Sequence, residues 1–560
     1  MPEDHHLVVD DGHSEPAPEV GSSANDAAGA EDSVQNGSFR NLFGPAQRHQ
    51  RYRGTKGREE TKQLLRRLTK FMDQQRSVLK GTIPAGYTYL AQLATHDLVH
   101  NPTRIPNLYD GMRASQDLRN QRLMLETLYG GGPGACPAIY RRESDTGNAE
   151  RTALRLLYIP DGEAGDCFTA PHLKPGEDGL LGAYRDLPRI ALDDGPVGTK
   201  FRAYGDALIA DPRNDDHLII AQLTVVFALL HNYLDEHQRA VHPDRSPRQR
   251  FLLSRKATIY IYRRILFEDL LPKLLEPTIR GAFHNDGFRL ESDGDPRMTV
   301  EFAHAIFRAG HSMVRTLYDL NPKRRQQSVE ELIVRRGTQT RAKIPHRDDW
   351  LIAWSQFFEV AGYPQPQKAS GISPSLASPL HSDGLFGDEA HDFGGLLFAD
   401  LLRGAFGGVR TVDSLIAKLK CVGVPGAASL GRANWQPLLE AWLTSSPANS
   451  DVVPLSPADV ADHLQDPPLL LFVMLEAKAA AQAGSSTGFG ILGSAVVAET
   501  FYTARDRTRA LIEDDERTRD FIEEVLGTDA SDSDVPNSMP LLVSALAERL
   551  RYQNLKNPFV

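Results

Sequence analysis

The sequence predicts a mainly α protein folded as one large helical domain, on three observations. From about Glu59 onward, apolar residues recur at helical spacing over most of the chain. One segment, His217–His237, is apolar almost all round, with Ile219, Ile220, Leu223, Val226, Phe227 and Leu230 within it, as befits a helix buried at the centre of a core. Strand patterns are few, and no internal repeat is present.

Taken in order, residues 1 to about 45 are rich in Asp, Glu, Ser, Ala and Gly and poor in aromatics. They bury too little apolar surface to offset ordering entropy, so an acidic disordered tail is expected over 1–45 and the folded domain over 46–560. Thr61–Leu79 reads as a charged amphipathic helix and Tyr87–His100 as a more apolar one. Residues 101–216 read mostly as loop, punctuated by Gly-rich runs at 130–134 and 161–166 and by Asp211-Pro212. Beyond the central helix, Arg250–Leu275 carries Tyr260, Tyr262, Ile265 and Leu266 at helical spacing. Val300–Leu320 holds His304 and His311, seven residues apart and therefore on one face of a continuous helix. A Ser/Pro/Gly loop covers about 363–395. Helical patterns return at Leu396–Ala405, Val412–Leu419, Pro457–His463, Pro467–Ala483, Leu492–Ala510 and Asp515–Leu526. The Ser/Pro stretch at 445–457 is read as a surface loop, because the helices after it are too apolar to stand apart from the core.

Composition removes several function classes. The chain has 560 residues, 41% hydrophobic and 24% charged, with a formal net charge of −10. Its basic runs, at 48–67 and Lys323–Arg325, are interrupted or flanked by polar or acidic residues, which argues against a nucleic-acid partner. Cys136, Cys167 and Cys421 are odd in number and widely spaced, which speaks against a disulfide framework or a structural zinc. No apolar run of about 18 residues occurs, so no membrane span is expected. The N-terminus lacks a basic segment followed by an apolar one, and a cytoplasmic location is expected.

Three segments carry the chemistry. Taken singly, a His on a partly apolar helix is more often a hydrogen-bonded core residue than a ligand. Here, however, Ala91-Gln92-Leu93-Ala94-Thr95-His96-Asp97 sets a His in an apolar helix, and Ala210-Asp211-Pro212-Arg213-Asn214-Asp215-Asp216 presents an Arg just before the buried helix. Phe307-Arg308-Ala309-Gly310-His311-Ser312-Met313-Val314 places Gly beside His. Gly inside a helix costs roughly 1 kcal/mol relative to Ala, so it asks for a reason, such as close approach of something bulky.

In this order the three segments resemble the animal haem peroxidase (peroxidase–cyclooxygenase) superfamily, its bacterial branch in particular. Leu128–Pro133, Leu230-His231-Asn232, Phe267–Pro272, Leu396–Gly404 and the stretch from Pro467 through Gly490–Gly493 to Glu499 match as well, so the resemblance runs from about residue 80 to 510. It implies one helical domain enclosing a haem b. His311 would be the proximal iron ligand, with His304 structural. His96 would be the distal base, Arg213 its cationic partner and Gln92 a residue lining the same pocket. Arg308 and Arg403 would pair with haem propionates. Asp400 would stand where the family has an Asn against the ligand His, increasing imidazolate character.

Several departures matter. Family members with covalent haem form esters at the positions held here by Thr95 and Asp216, and one has a sulfonium link at the position of His217. Thr cannot form the ester and Asp is one methylene short of Glu, so non-covalent haem is expected, with at most one ester through Asp216. The family calcium site uses the position of Asp97 and the loop 120–126. Here Met124 replaces a ligand Asp and Arg122 is inserted, so the resemblance leaves two readings open, calcium held through Asp97 or Arg122 paired with Asp97 in the ion's place. Cyclooxygenases and fatty-acid dioxygenases carry a radical-forming Tyr where this chain has Arg308. The implied function is a haem peroxidase that reduces hydrogen peroxide through an oxo-ferryl intermediate and oxidises a small organic or halide donor. The alternatives are a haem-dependent oxygenase of a lipid or other specialised substrate, and a catalytically weak haem-binding protein.

Overall fold

The computed structural model describes residues 39–75, 79–111, 117–119, 121–141, 151–158, 184–192, 203–291, 295, 297–333, 348–381, 395–445, 453–526 and 535–549. Their architecture is helical, and its axis is the central helix Leu218–Val241. From Leu218 to Asn232 every side chain of this helix is buried. It is long and apolar enough to cross a membrane by composition alone, but 94% of its most apolar 18-residue window is buried inside the protein. His217 starts it, its Nδ1 accepting the Ile220 amide at 3.2 Å.

Two helices flank the central one. Pro247–Ile265 begins with Pro at its first position and a reciprocal capping box between Ser246 and Gln249. It continues through a π-helical turn, Leu266–Leu270, to Leu274, so the segment predicted over Arg250–Leu275 is one rod. Gly86–Leu98, the helix of His96, packs against the central helix from another side. It needs glycine at its first residue, since a Cβ on Gly86 would lie 2.5 Å from the Phe358 ring.

The segment predicted as one helix over Val300–Leu320 is broken. An α-helix runs Val300–His304, Ala305 leaves helical space at φ −141°, ψ −71°, and a 3-10 helix runs Ile306–Met313. The cause is the period of the burial pattern: Ile306, Ala309 and Ser312 are buried at intervals of three, the repeat of a 3-10 helix. Arg308 and His311 therefore share a second face, whereas His304 belongs to a different element.

Four two-stranded antiparallel ribbons lie among the described residues, and sequence periodicity gave little sign of them: Lys80–Pro84 with Lys368–Ser370, Leu157–Tyr158 with Tyr184–Asp186, Arg189–Leu192 with Ala203–Ala207, and Leu317–Tyr318 with Gln327–Ser328. The helices Pro277–His284, Arg432–Leu443 and Met539–Arg549, with several of four or five residues, also lie outside the expected segments, and Pro437 lies inside the second of them. Most of the buried apolar side chains form one cluster that reaches from Leu42 to Ala547.

The tail boundary expected at residue 45 is too late. The part of the tail over 1–38 lies outside the described residues, but residues 39–45 are built into the body. The Arg40 amide donates to Met298 O at 3.1 Å, and the buried Glu301 carboxylate accepts from the Leu42 amide and the Asn41 side chain, both at 2.8 Å. Leu42 itself is 0% exposed. Leu42→Ala is expected to destabilise the protein by about 3 kcal/mol, read as a lower urea midpoint, whereas a residue in a disordered tail would leave the midpoint in place.

Candidate active site

Two histidines occupy comparable settings on different elements. The helix Gly86–Leu98 carries His96 and touches both the short turn Pro212–Asp215 and the 3-10 helix of His311. The turn follows from its sequence: Asp211 caps it by accepting the Arg213 amide, and Pro212 takes the first position, where no N–H is needed.

His96 is buried, and its Nδ1 lies 2.8 Å from Asn214 Oδ1. An amide oxygen only accepts, so Nδ1 carries the proton and Nε2 keeps its lone pair. Among the described residues Nε2 has no hydrogen-bond partner. Burial, and then the charge of Arg213, lower the His96 pKa to about 4. His217 stands beside it. With Nδ1 accepting the Ile220 amide, its Nε2 donates to Gln92 Oε1 at 2.8 Å, which leaves the NH2 of Gln92 as a donor.

Arg213, expected to face an incoming oxidant, is largely turned to the protein instead. Nη1 donates to Val99 O and Nη2 to His96 O, both at 2.8 Å, while Nε and Nη2 hold Asp211 at 3.0 and 2.6 Å. One N–H remains uncommitted among the described residues. The guanidinium thus caps the carbonyl end of the His96 helix and sets a positive charge beside the imidazole. Arg119 grips the same Asp211, and these two cations hold its carboxyl far below the usual range against the effect of burial. The sequence reading missed Asn214, the actual partner of the His96 ring, although it adjoins Arg213 in the quoted motif.

On the second side, His311 donates Nδ1–H to Asp400 Oδ2 at 2.5 Å, and Arg308 Nη1 meets Oδ1 of the same carboxylate at 2.5 Å. Asp400 is 1% exposed; burial would raise its pKa, but His311 and then Arg308 outweigh it and lower the value. His311 keeps 36% of its side chain exposed, and its Nε2 has no partner among the described residues. A Cβ on Gly310 would meet no atom within 4 Å among the described residues beyond its chain neighbours, so there is room beside the ring. Arg403, on the same helix as Asp400 (Leu396–Phe406), donates among the described residues only to Thr103 O, at 3.1 Å. Burial, then repulsion from Arg308, lower its pKa to about 10. Arg308 and Arg403 thus outnumber Asp400, the one carboxylate near them among the described residues, a setting that suits an anionic group.

The remaining predicted residues divide. His304 is buried, with Nε2 against the Asn101 amide at 2.8 Å and Nδ1 so close to Gly407 that a Cβ there would lie 2.1 Å away, which suits a structural role. Thr95 returns its hydroxyl to Ala91 O at 2.8 Å, and Asp216 is exposed one residue before His217. Asp97 does not pair with Arg122. Its two oxygens accept the Leu125 and Glu126 amides at 2.8 and 2.7 Å, and burial, followed by Glu126, raises its pKa to about 6.

Comparison with known proteins adds the following. A family model described as animal haem peroxidase matches residues 173–357. Heme peroxidase 2 of Caenorhabditis elegans is 32% identical over 114 residues, 19% of this chain and 16% of that protein. Dual oxidase of Drosophila melanogaster is 26% identical over 141 residues, 25% of this chain and 9% of that protein. The chain thus spans a small part of these curated relatives. Peroxidase A from Dictyostelium discoideum shares the fold at TM-score 0.50 and 14% identity, over 90% of this chain and 94% of that one. A fatty acid alpha-dioxygenase from Oryza sativa does so at TM-score 0.51 and 12% identity, over 93% and 83%.

Two substitutions test the geometry. Asn214→Asp places a carboxylate against His96 and is expected to raise its pKa from about 4 to above the ordinary 6.5, read by NMR titration of labelled histidines. Asp400→Asn leaves Arg308 without its anion and is expected to cost about 3 kcal/mol in a denaturant titration.

Proposed function

We propose that this chain, which belongs to the animal haem peroxidase superfamily, is a haem peroxidase that reduces hydrogen peroxide and oxidises a small organic or halide donor. The observation that carries this proposal is the matched pair of imidazoles. Each has Nδ1 engaged by an acceptor and Nε2 without a partner among the described residues, one ring neutral over an amide and the other against a carboxylate.

The residues fit a haem b on the observations above. His311 Nε2 would ligate the iron, and the excess of positive charge at Arg308 and Arg403 would receive the two propionates. Asp400, accepting from Nδ1, makes His311 a stronger electron donor. Haem supplies an iron centre able to exchange electrons with peroxide and with a donor. Thr95 offers no carboxylate for an ester and its hydroxyl is already bonded, which favours non-covalent attachment; Asp216 is the one carboxylate at a matching position.

The rest of the chemistry falls to this chain's own groups. His96 Nε2 takes the proton from one peroxide oxygen and returns it to the other, so that the bond between them breaks toward water. Asn214 fixes the tautomer that this requires. Arg213 holds the end of the helix and adds to the effect of burial in keeping the imidazole neutral, acting on the reaction mainly through His96. The NH2 of Gln92, aimed by His217, steadies the oxygen that leaves. Arg308, engaged with Asp400, puts no phenol where the oxygenase relatives carry a radical-forming one, and this favours peroxide reduction over substrate oxygenation.

The test is the absorption spectrum of haem-loaded protein before and after one equivalent of hydrogen peroxide. The expected result is a Soret band that shifts with peroxide, is lost or strongly altered in His311→Ala, and responds about 10²- to 10⁴-fold more slowly in His96→Leu. A band indifferent to peroxide would point to a haem-binding protein instead, and peroxide-independent oxygen uptake with a fatty acid would point to an oxygenase. Because protonated His96 cannot accept a proton, the rate of reaction with peroxide is expected to fall as pH drops through about 4. In Arg213→Gln, which removes the neighbouring charge, that acid limb moves to higher pH.

A further inference from the structure

The loop 121–126, which wraps the end of the His96 helix, is strained. Gln121, Leu123 and Leu125 hold φ of 50°, 49° and 50°, the left-handed region that non-glycine residues enter at a cost of roughly 1 kcal/mol or more each. Alternation of this kind turns main-chain amides to one side and carbonyls to another. On one side the Leu125 and Glu126 amides bind Asp97. On the other, the carbonyls converge on a single buried cation, Arg263.

Arg263 lies on the helix Pro247–Ile265 with its side chain 1% exposed. Nε donates to Leu123 O at 3.0 Å, and Nη2 contacts Arg122 O and Thr508 Oγ1, with Met124 Sδ at 3.5 Å. Nη1 donates to both oxygens of Glu513 at 3.0 Å. Two successive carbonyls, a hydroxyl and a carboxylate form a donor set of the kind that holds a cation, and here a guanidinium sits within it.

The calcium that the family resemblance implies for this loop does not fit these residues. A hard cation asks for six to eight oxygens. Both Asp97 oxygens are taken by N–H groups, residue 124 offers a thioether, and the carbonyls of 122 and 123 already face a positive charge. We propose that Arg263 is the resident cation of this loop. It holds the left-handed turns in place, and through them Asp97 and the end of the helix that positions His96, with no divalent ion required. Arg263 is thus a positioning residue, and Thr508 and Glu513 are its anchors. Nothing in this proposal depends on haem or on peroxide chemistry.

Arg122 lies inside the loop, so native-state trypsin cleavage after it reports on loop opening in the full chain. In the wild-type protein, cleavage and melting temperature are expected to be unchanged by EGTA or added calcium, with no stoichiometric calcium by metal analysis. Arg263→Met is expected to speed cleavage after Arg122 roughly tenfold or more, with Arg263→Lys in between. If Arg263→Met fails to fold, Thr508→Val and Glu513→Gln each remove one anchor and should give smaller increases. Stoichiometric calcium in the wild type, cleavage hastened by EGTA, or cleavage unaffected by all of these substitutions would overturn the assignment.

Discussion

A carboxylate buried as fully as Asp400 stays charged only if an N–H donor and a cation meet its oxygens, and the desolvation it would otherwise suffer amounts to several kcal/mol. His311 and Arg308 meet that need together, one on each oxygen. They can do so because they lie three residues apart on a 3-10 helix, whose turn brings side chains at that spacing into line. The break at Ala305 is what permits the 3-10 geometry, and it also consigns His304 to the core. Within a turn set by the burial of Ile306, Ala309 and Ser312, one buried charge therefore accounts for the tautomer of His311 and for the direction in which its remaining nitrogen faces.

The His96 side rests on a larger polar frame. Asp211 takes Arg119 and Arg213, while Asp215 is gripped by both terminal nitrogens of Arg189 at 2.8 and 2.7 Å. The four-residue turn between these pairs is thereby clamped from two directions, and Asn214 at its middle is held against the imidazole. Arg189 also meets Asp186, so the clamp draws on a strand ribbon as well as on the loop around the helix end. A turn this short has little stability of its own, and its precision comes from these buried ion pairs.

The sequence revealed the helices wherever a 3.6-residue apolar period was uninterrupted, as in Leu218–Val241, and it singled out His96, His311 and Asp400 as candidates because each lies in a short run whose neighbours also match a family pattern. What it hid depended on partners distant in sequence. Asn214 binds a ring 118 residues away and Arg263 holds a loop about 140 residues away, so neither choice of partner is written into local spacing. Arg213 was found, yet its direction was not, because carbonyls of the His96 helix compete for the guanidinium only once the fold is assembled. The 3-10 segment was misread for a related reason. Over eight residues, periods of 3.0 and 3.6 differ little, and only tertiary burial of Ile306, Ala309 and Ser312 decides between them.

Asn214 and Asp400 deserve comparison as a pair of near-identical shapes. They differ by an NH2 in place of an oxygen, and each presents one oxygen to an Nδ1–H. Steric fit therefore cannot distinguish the two imidazoles; the difference lies in the formal charge of the residue behind each. The amide orients its ring without supplying charge, and the ring remains a weak, neutral proton acceptor. The carboxylate orients the other ring and pushes electron density into it. Two copies of one amino acid thus acquire opposite chemical character through the exchange of a single terminal group in the side chain behind each.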